Sequence, residues 1–283
     1  GRGGLTPVWR APITLVECNR QSTRAASMEK SISYNETNKS IFTAGDDFDR
    51  AATIEFIKRA DLDDLRNPLF LENIVIPNIG LDRFISQHYP ENIRKYCGKN
   101  FMACQMPIQL SKYLAYLSGK KINSYLEIGV AMGGTFVLTV EYLKRFNGEI
   151  DAMIIDMNPP GEHLDWYSEN GGSFRYLVAN TTEPKAANAV MSRKWDLVLI
   201  DADHTEEGCW RDYLMAKEFA RLIAFHDVVN DLTPGVAAVW KRLKEVLPTS
   251  RYRGVYRAIP GLHKNCRILE NNGARRHFAQ LNR

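Results

Sequence analysis

Two apolar runs in this chain end in groups that can hold cations or move protons. Leu197-Val198-Leu199-Ile200 leads into Asp201-Ala202-Asp203-His204, with Glu206, Glu207 and Gly208 close behind. Leu222-Ile223-Ala224-Phe225 leads into His226-Asp227. As neighbouring strands of one sheet, these runs would place Asp201 and Asp227 on adjacent strand ends, near enough to share a hard divalent cation such as Mg2+. His204 would project over the same mouth, where an imidazole titrating near neutrality is suited to removing a hydroxyl proton. A divalent ion there would lower the pKa of that hydroxyl. Each group also has a plainer reading: His204 as an N-cap or supporting residue, Asp227 as a turn residue, His226 as structural.

A third run, Leu126-Glu127-Ile128, passes into Gly129-Val130-Ala131-Met132-Gly133-Gly134 and then straight into a helical pattern. Gly129 permits a tight turn, and Gly133 and Gly134 let a ligand approach the backbone where the helix begins. The order Glu-x-Gly-x-x-x-Gly-Gly differs from the Gly-x-Gly-x-x-Gly of dinucleotide sites, and no Gly-Lys-Ser/Thr follows to make a P-loop. The next run closes at Asp156, 27 residues after Gly129. A carboxylate at that place can accept both hydroxyls of a ribose. Asn158-Pro159-Pro160 is read as a Pro-rich loop ending that strand, with His163, Trp166 and Tyr167 in an aromatic loop behind it.

The elements that must position these groups follow from periodicity. Strands are expected at Ser124–Ile128, Ala152–Ile155, Phe174–Val178, Leu197–Ile200 and Leu222–Phe225. Helices are expected at Thr135–Phe146, Pro184–Met191, Glu206–Phe219 and Val236–Leu247. Apolar strands alternating with helices indicate a parallel sheet covered on both faces. Two late β-like stretches, Tyr252–Ile259 and Cys266–Glu270, would bring the α/β, doubly wound, mostly parallel sheet to seven strands. Before it, residues 17 to 47 read as an irregular arm. Short helices are expected at Phe48–Ala60 and Leu81–Gln87, with breaks at Asn67-Pro68 and Pro77. A helix beginning at Pro107 has Gln105 and Met106 at its mouth. The expected division is an N-terminal arm and helical cap over residues 1–104 and a ligand-binding domain over 105–283.

The glycine turn after one strand and the acid closing the next resemble the class I S-adenosylmethionine-dependent methyltransferases, over roughly residues 105 to 270. The resemblance implies a Rossmann-like methyltransferase fold. Glu127, Gly129, Gly133 and Gly134 would then lie on the methionine side of the cofactor, Asp156 at its ribose, and Asn180 near its adenine. Ile200-Asp201-x-Asp203-His204-x-x-Glu207-Gly208, followed by His226-Asp227, resembles a subgroup that includes metal-dependent sugar O-methyltransferases of natural-product pathways and cephalosporin-hydroxylase-like proteins. In that subgroup an Asp and a following His serve as metal ligand and base, and an acidic pair at the next strand end adds ligands. Asp201, His204 and Asp227 match; His226 stands where such enzymes often carry an acid. The implied activity is O-methylation of a small-molecule or sugar hydroxyl, with Asp201 and His204 catalytic and Asp201 and Asp227 holding Mg2+ or another divalent cation.

Composition narrows the surroundings. No apolar run reaches the roughly 18 residues of a membrane-spanning helix. Five scattered cysteines with no Cys-x-x-Cys pair argue against a disulfide framework or thiolate zinc site and fit a cytoplasmic protein. The net charge is +4, but residues 251–283 carry eight Lys/Arg against Glu270 alone, a local +7 that leaves the remaining 250 residues at −3. Two further readings therefore stand beside the first: a nucleic-acid methyltransferase using that basic segment, and a non-catalytic assembly component with a vestigial cofactor site. The extended arm suggests a homo-oligomer.

Overall fold

Runs that are apolar on both faces must be covered on both sides, and here they form a central sheet flanked by helices. The computed structural model describes residues 49–228, 232–246 and 267–270. The strands are β1 (Ser124–Ile128), β2 (Asp151–Asp156), β3 (Arg175–Val178), β4 (Trp195–Ile200), β5 (Ala220–Phe225) and β6 (Arg267–Glu270). Their order is β3-β2-β1-β4-β5-β6. The first five are parallel and β6 runs antiparallel to β5. Six strands thus stand among the described residues where seven were expected; Tyr252–Ile259 lies outside them, as do the arm and most of the basic segment. The strand order reverses between β1 and β4, and that point of an α/β sheet opens a crevice at the carboxyl ends.

The helices are α1 (Arg50–Arg59), α2 (Leu62–Arg66), a composite α3, α4 (Pro107–Leu117), α5 (Gly134–Asn147), α6 (Glu162–Glu169), α7 (Pro184–Met191), α8 (Glu206–Ala216) and α9 (Pro234–Val246). One core layer packs Leu126, Ile128, Val198, Ile200, Ile223 and Phe225 from the strands against Tyr213, Val239, Trp240 and Leu243. Each fully buried side chain of this size contributes about 1.5–3 kcal/mol.

Before the sheet, the structure departs from expectation in two places. Asn67-Pro68 and Pro77 read as breaks, yet α3 runs through Pro68–Phe70, a π-turn at Leu71–Val75 and Ile76–Ile79. Asn67 caps this run and Pro68 begins it, where a missing N–H costs nothing. The π-turn, with Ile76 N–H bonded back to Leu71 O, lies just before Pro77, which cannot donate to the ladder. Leu81–Gln87, expected as a helix, is not one. Gly80 leaves the helix at φ +87, and Leu81 then bridges to both Cys97 and Ala103.

The aromatic loop expected after Asp156 is instead α6, with His163, Leu164 and Tyr167 buried. Residues before the sheet are stitched to α5: Tyr142 Oη donates to Leu65 O at 2.9 Å and Arg145 Nη2 to Ala60 O at 2.8 Å. Among the described residues no helix is long and apolar enough to cross a membrane.

Candidate active site

The parallel ladder continues one residue past the strand ends. Gly129 N–H donates to Ile155 O at 2.8 Å, Asp201 N–H to Ile128 O at 2.9 Å, and His226 N–H to Ile200 O at 3.2 Å. These bonds set Gly129, Asp201 and His226 in one row along the carboxyl edge. Gly129 needs its freedom there: its φ is +85, and a Cβ would lie 2.5 Å from the Ala202 Cα.

On this row the structure brings together the acids and histidines of the two strand ends. Asp201 Oδ1 lies 3.2 Å from His204 Nε2 and 3.0 Å from His226 Nδ1. Its other oxygen, Oδ2, accepts from Gln105 Nε2 at 3.1 Å. Asp227 completes the group, with Oδ2 3.7 Å from His204 Nε2 and Oδ1 3.5 Å from His226 Nδ1. Asp227 adopts a left-handed φ of 55°, which a short polar side chain tolerates. The His204 side chain is 38% exposed and the His226 side chain 12%, so His204 is the member that an incoming molecule can reach.

Electrostatics bind the cluster tightly. Burial pushes the Asp201 carboxyl up, but the His226 and His204 imidazoles more than offset this and hold it below the usual carboxylate range. The hydrogen bond to Asp201 raises the His204 pKa against the opposing effect of burial. Burial disfavours the charged form of His226, yet Asp201 and Asp227 together still raise its pKa. Asp201, His204 and His226 each offer one donor atom, and the three atoms lie within 4.8 Å of one another. Sequence reasoning had read His226 as structural; its bond to Asp201 depends on the register of β5 against β4, which spacing does not reveal.

The proposed cofactor-binding residues line the β1–β2–β3 side. Glu127 is buried, its carboxyl accepts from the Tyr125 hydroxyl, and burial pushes its pKa well above the carboxylate range. Gly133, at φ +94, faces Leu164, and a Cβ on Gly134 would meet the backbone of Ala103 at 2.4 Å. Protein atoms thus approach both glycines. Asp156 Oδ2 accepts from Val130 N–H at 2.9 Å and Oδ1 from Asn158 N–H at 2.8 Å. Met157, next to this acid in the chain, is exposed, as is Met132 on the turn after β1. Asn180 forms a turn, its Oδ1 accepting from Thr182 N–H at 2.9 Å.

Residues 126–228 match the model of a methyltransferase domain, from within β1 to the residue after Asp227. No curated protein sequence matches the chain. Among solved structures, a putative caffeoyl-CoA O-methyltransferase from Staphylococcus aureus is similar at 13% identity, over 80% of this chain and 100% of that one, with a TM-score of 0.41. The MycE methyltransferase of the mycinamycin biosynthetic pathway, in complex with Mg and SAH, is similar at 12% identity, over 59% of this chain and 49% of that one, with a TM-score of 0.39. The fibrillarin pre-rRNA processing protein of Methanococcus jannaschii is similar at 18% identity, over 59% of this chain and 76% of that one, with a TM-score of 0.41. The matched stretch and the strand-end row coincide: residues 126–228, which carry the row, are similar to a methyltransferase domain.

Proposed function

We propose that the protein methylates a hydroxyl of a small molecule or sugar, with His204 as general base. The observation that carries this reading is the Asp201–His204 pair, 3.2 Å apart at the open edge of the β1/β4 crevice. A neutral His204 ring that donates its Nε2–H to Asp201 keeps Nδ1 as an acceptor, so the carboxylate fixes the tautomer as well as the orientation. The raised pKa of His204 strengthens it as a base. Asp227, beside His204, adds a second carboxylate that favours the imidazolium formed when the ring takes a proton.

Bound S-adenosylmethionine supplies an electrophilic methyl group on a sulfonium. In our reading Asp156 holds its ribose and Glu127 and Gly129 lie beside its methionine portion. His204 Nδ1 receives the acceptor's proton while the acceptor oxygen bonds to the methyl carbon. The cofactor, held by those residues, would supply the methyl group and keep the electron pair of its carbon–sulfur bond as a neutral thioether. The protein's main contributions are alignment and that single proton transfer.

The donor set also fits a divalent cation, with Asp201 and Asp227 as its proposed holders and His204 kept for the proton. Such an ion would lower the pKa of the acceptor hydroxyl. With imidazole nitrogens beside the carboxylates, Mn2+, Co2+ or Zn2+ suits the group better than Mg2+.

Calorimetric titration with S-adenosylmethionine and S-adenosylhomocysteine, in EDTA and in each metal, tests the reading. Binding that is lost in Asp156→Ala supports the cofactor site. With an acceptor found by screening hydroxylated compounds, His204→Ala should lower turnover on the order of 10²–10⁴-fold. Absence of binding by either compound under every condition would sink it. Strong, salt-sensitive retention on a polyanion resin would instead move the acceptor to nucleic acid.

A further inference from the structure

Arg211, on α8, touches three groups that belong to different parts of the site. Its Nη2 donates to Thr181 Oγ1 at 2.9 Å and to Asp203 Oδ2 at 3.3 Å, and its Nε lies 3.6 Å from Asp212 Oδ1. Thr181 follows Asn180 on the loop after β3, the proposed adenine side. Asp203 immediately precedes His204.

The turn that carries His204 is closed by packing. Asp203 Oδ1 accepts from Thr205 N–H at 3.0 Å and from Thr205 Oγ1 at 2.7 Å. Thr205 Oγ1 in turn caps α8 by accepting from Gly208 N–H at 3.1 Å. A Cβ on Gly208 would sit 2.0 Å from the Asp203 carboxylate, and one on Gly235 would sit 2.5 Å from His204 O. The glycine in the Asp-His-x-x-Glu-Gly pattern therefore makes room for Asp203. Behind Arg211, Asp212 is wholly buried, with the Thr181 hydroxyl and the Arg211 guanidinium beside its carboxylate. A buried carboxylate in that state holds a neighbouring guanidinium in place electrostatically.

We propose that Arg211 is a positioning residue that couples the adenosine end of the site to the base. It locks Asp203, and with it the turn that aims His204, to the Asn180–Thr181 loop. Ordering of that loop by cofactor is thereby passed to the histidine. The inference rests on the methyltransferase reading, and a misaimed base is costly because small displacements at a reacting centre lower rates steeply.

The test needs no acceptor. The full chain, labelled in its histidine rings, is titrated with S-adenosylhomocysteine in EDTA at fixed pH and followed by NMR, with His204 assigned from the signal missing in His204→Gln. Binding in every variant is measured by calorimetry. In the wild type, saturation should shift the His204 ring signals. In Thr181→Val and Arg211→Met that shift should be lost although S-adenosylhomocysteine still binds, and Arg211→Lys should restore part of it. Thr181→Ser, which keeps the hydroxyl that faces Arg211 and Asp212, should restore the shift lost in Thr181→Val, so the series stays informative if Arg211→Met unfolds. An undiminished shift in Thr181→Val overturns the coupling, as does wild-type binding with no His204 shift. Failure of the wild type to bind at all removes the methyltransferase reading and the coupling with it.

Discussion

Glu127, next to last in β1, has its carboxyl sealed from water and bonded to the Tyr125 hydroxyl, and burial keeps its proton on well above the ordinary carboxylate range. A neutral acid and a carboxamide are nearly the same size, so Glu127→Gln should preserve both fold and S-adenosylhomocysteine affinity. Glu127→Ala leaves the Tyr125 hydroxyl without its partner and should cost about 1–3 kcal/mol of stability. Calorimetry and thermal melts on the two variants check this; loss of binding in the Gln variant would mean that the cofactor requires the ionised acid. At this scale the sequence was informative wherever a side chain ends a strand. Asp201, His204 and Asp227 could be placed because strand ends of a parallel sheet share one edge. Arg211 and Thr181 could not, because residues far apart along the chain meet only once α8 has packed beside the β3 loop. Gly208 was visible in the motif, but its purpose was not: only the Asp203 carboxylate lying where a Cβ would go explains it.

Among the elements, the start of α5 is the most demanding junction. Gly134 lies against backbone, with Ala103 N 2.4 Å and Phe101 O 2.6 Å from where a Cβ would stand. Backbone cannot swing aside as a flexible side chain can. Gly134→Ala should therefore destabilise the fold by about 1–3 kcal/mol, and lower the melting temperature by about 2–4 °C for each kcal/mol. Thermal denaturation is the check, and an unchanged melt would show that the 101–103 segment yields easily. The strands and sheet-flanking helices were legible because each carries one clean periodicity: Pro184–Met191 was expected at its observed bounds. α3 was not, since prolines read as breaks when a π-turn can carry the helix to one of them. α6 was missed because its aromatic residues looked like a loop; Phe101, 5.6 Å from Trp166 in an edge-on contact, supplies the surface that makes the helix worthwhile.

Across the whole molecule, stability should respond to pH through Asp212. Burial pushes its pKa from 3.8 up to about 6. The folded chain thus keeps a proton that an unfolded chain has already released, so stability falls as pH rises through that window and is level above it. The change is on the order of 3 kcal/mol. Asp212→Asn should accordingly melt higher than the wild type at pH 8, with the difference shrinking toward pH 4. Melts across that range decide it, and a wild type that gains stability relative to the variant as pH rises would refute it. The strand-end ladder has a consequence of another kind, for the order in which the molecule opens. Gly129 and Asp201 donate their amides within the β2–β1–β4 centre of the sheet, whereas Ala179 N–H bonds to Asp156 O beside the edge strand β3. Amide protons at the two central positions should exchange with deuterium only when the domain unfolds globally, and the Ala179 proton should exchange sooner. The β3 end of the crevice is therefore the part able to breathe while the row that holds Gly129 and Asp201 stays shut.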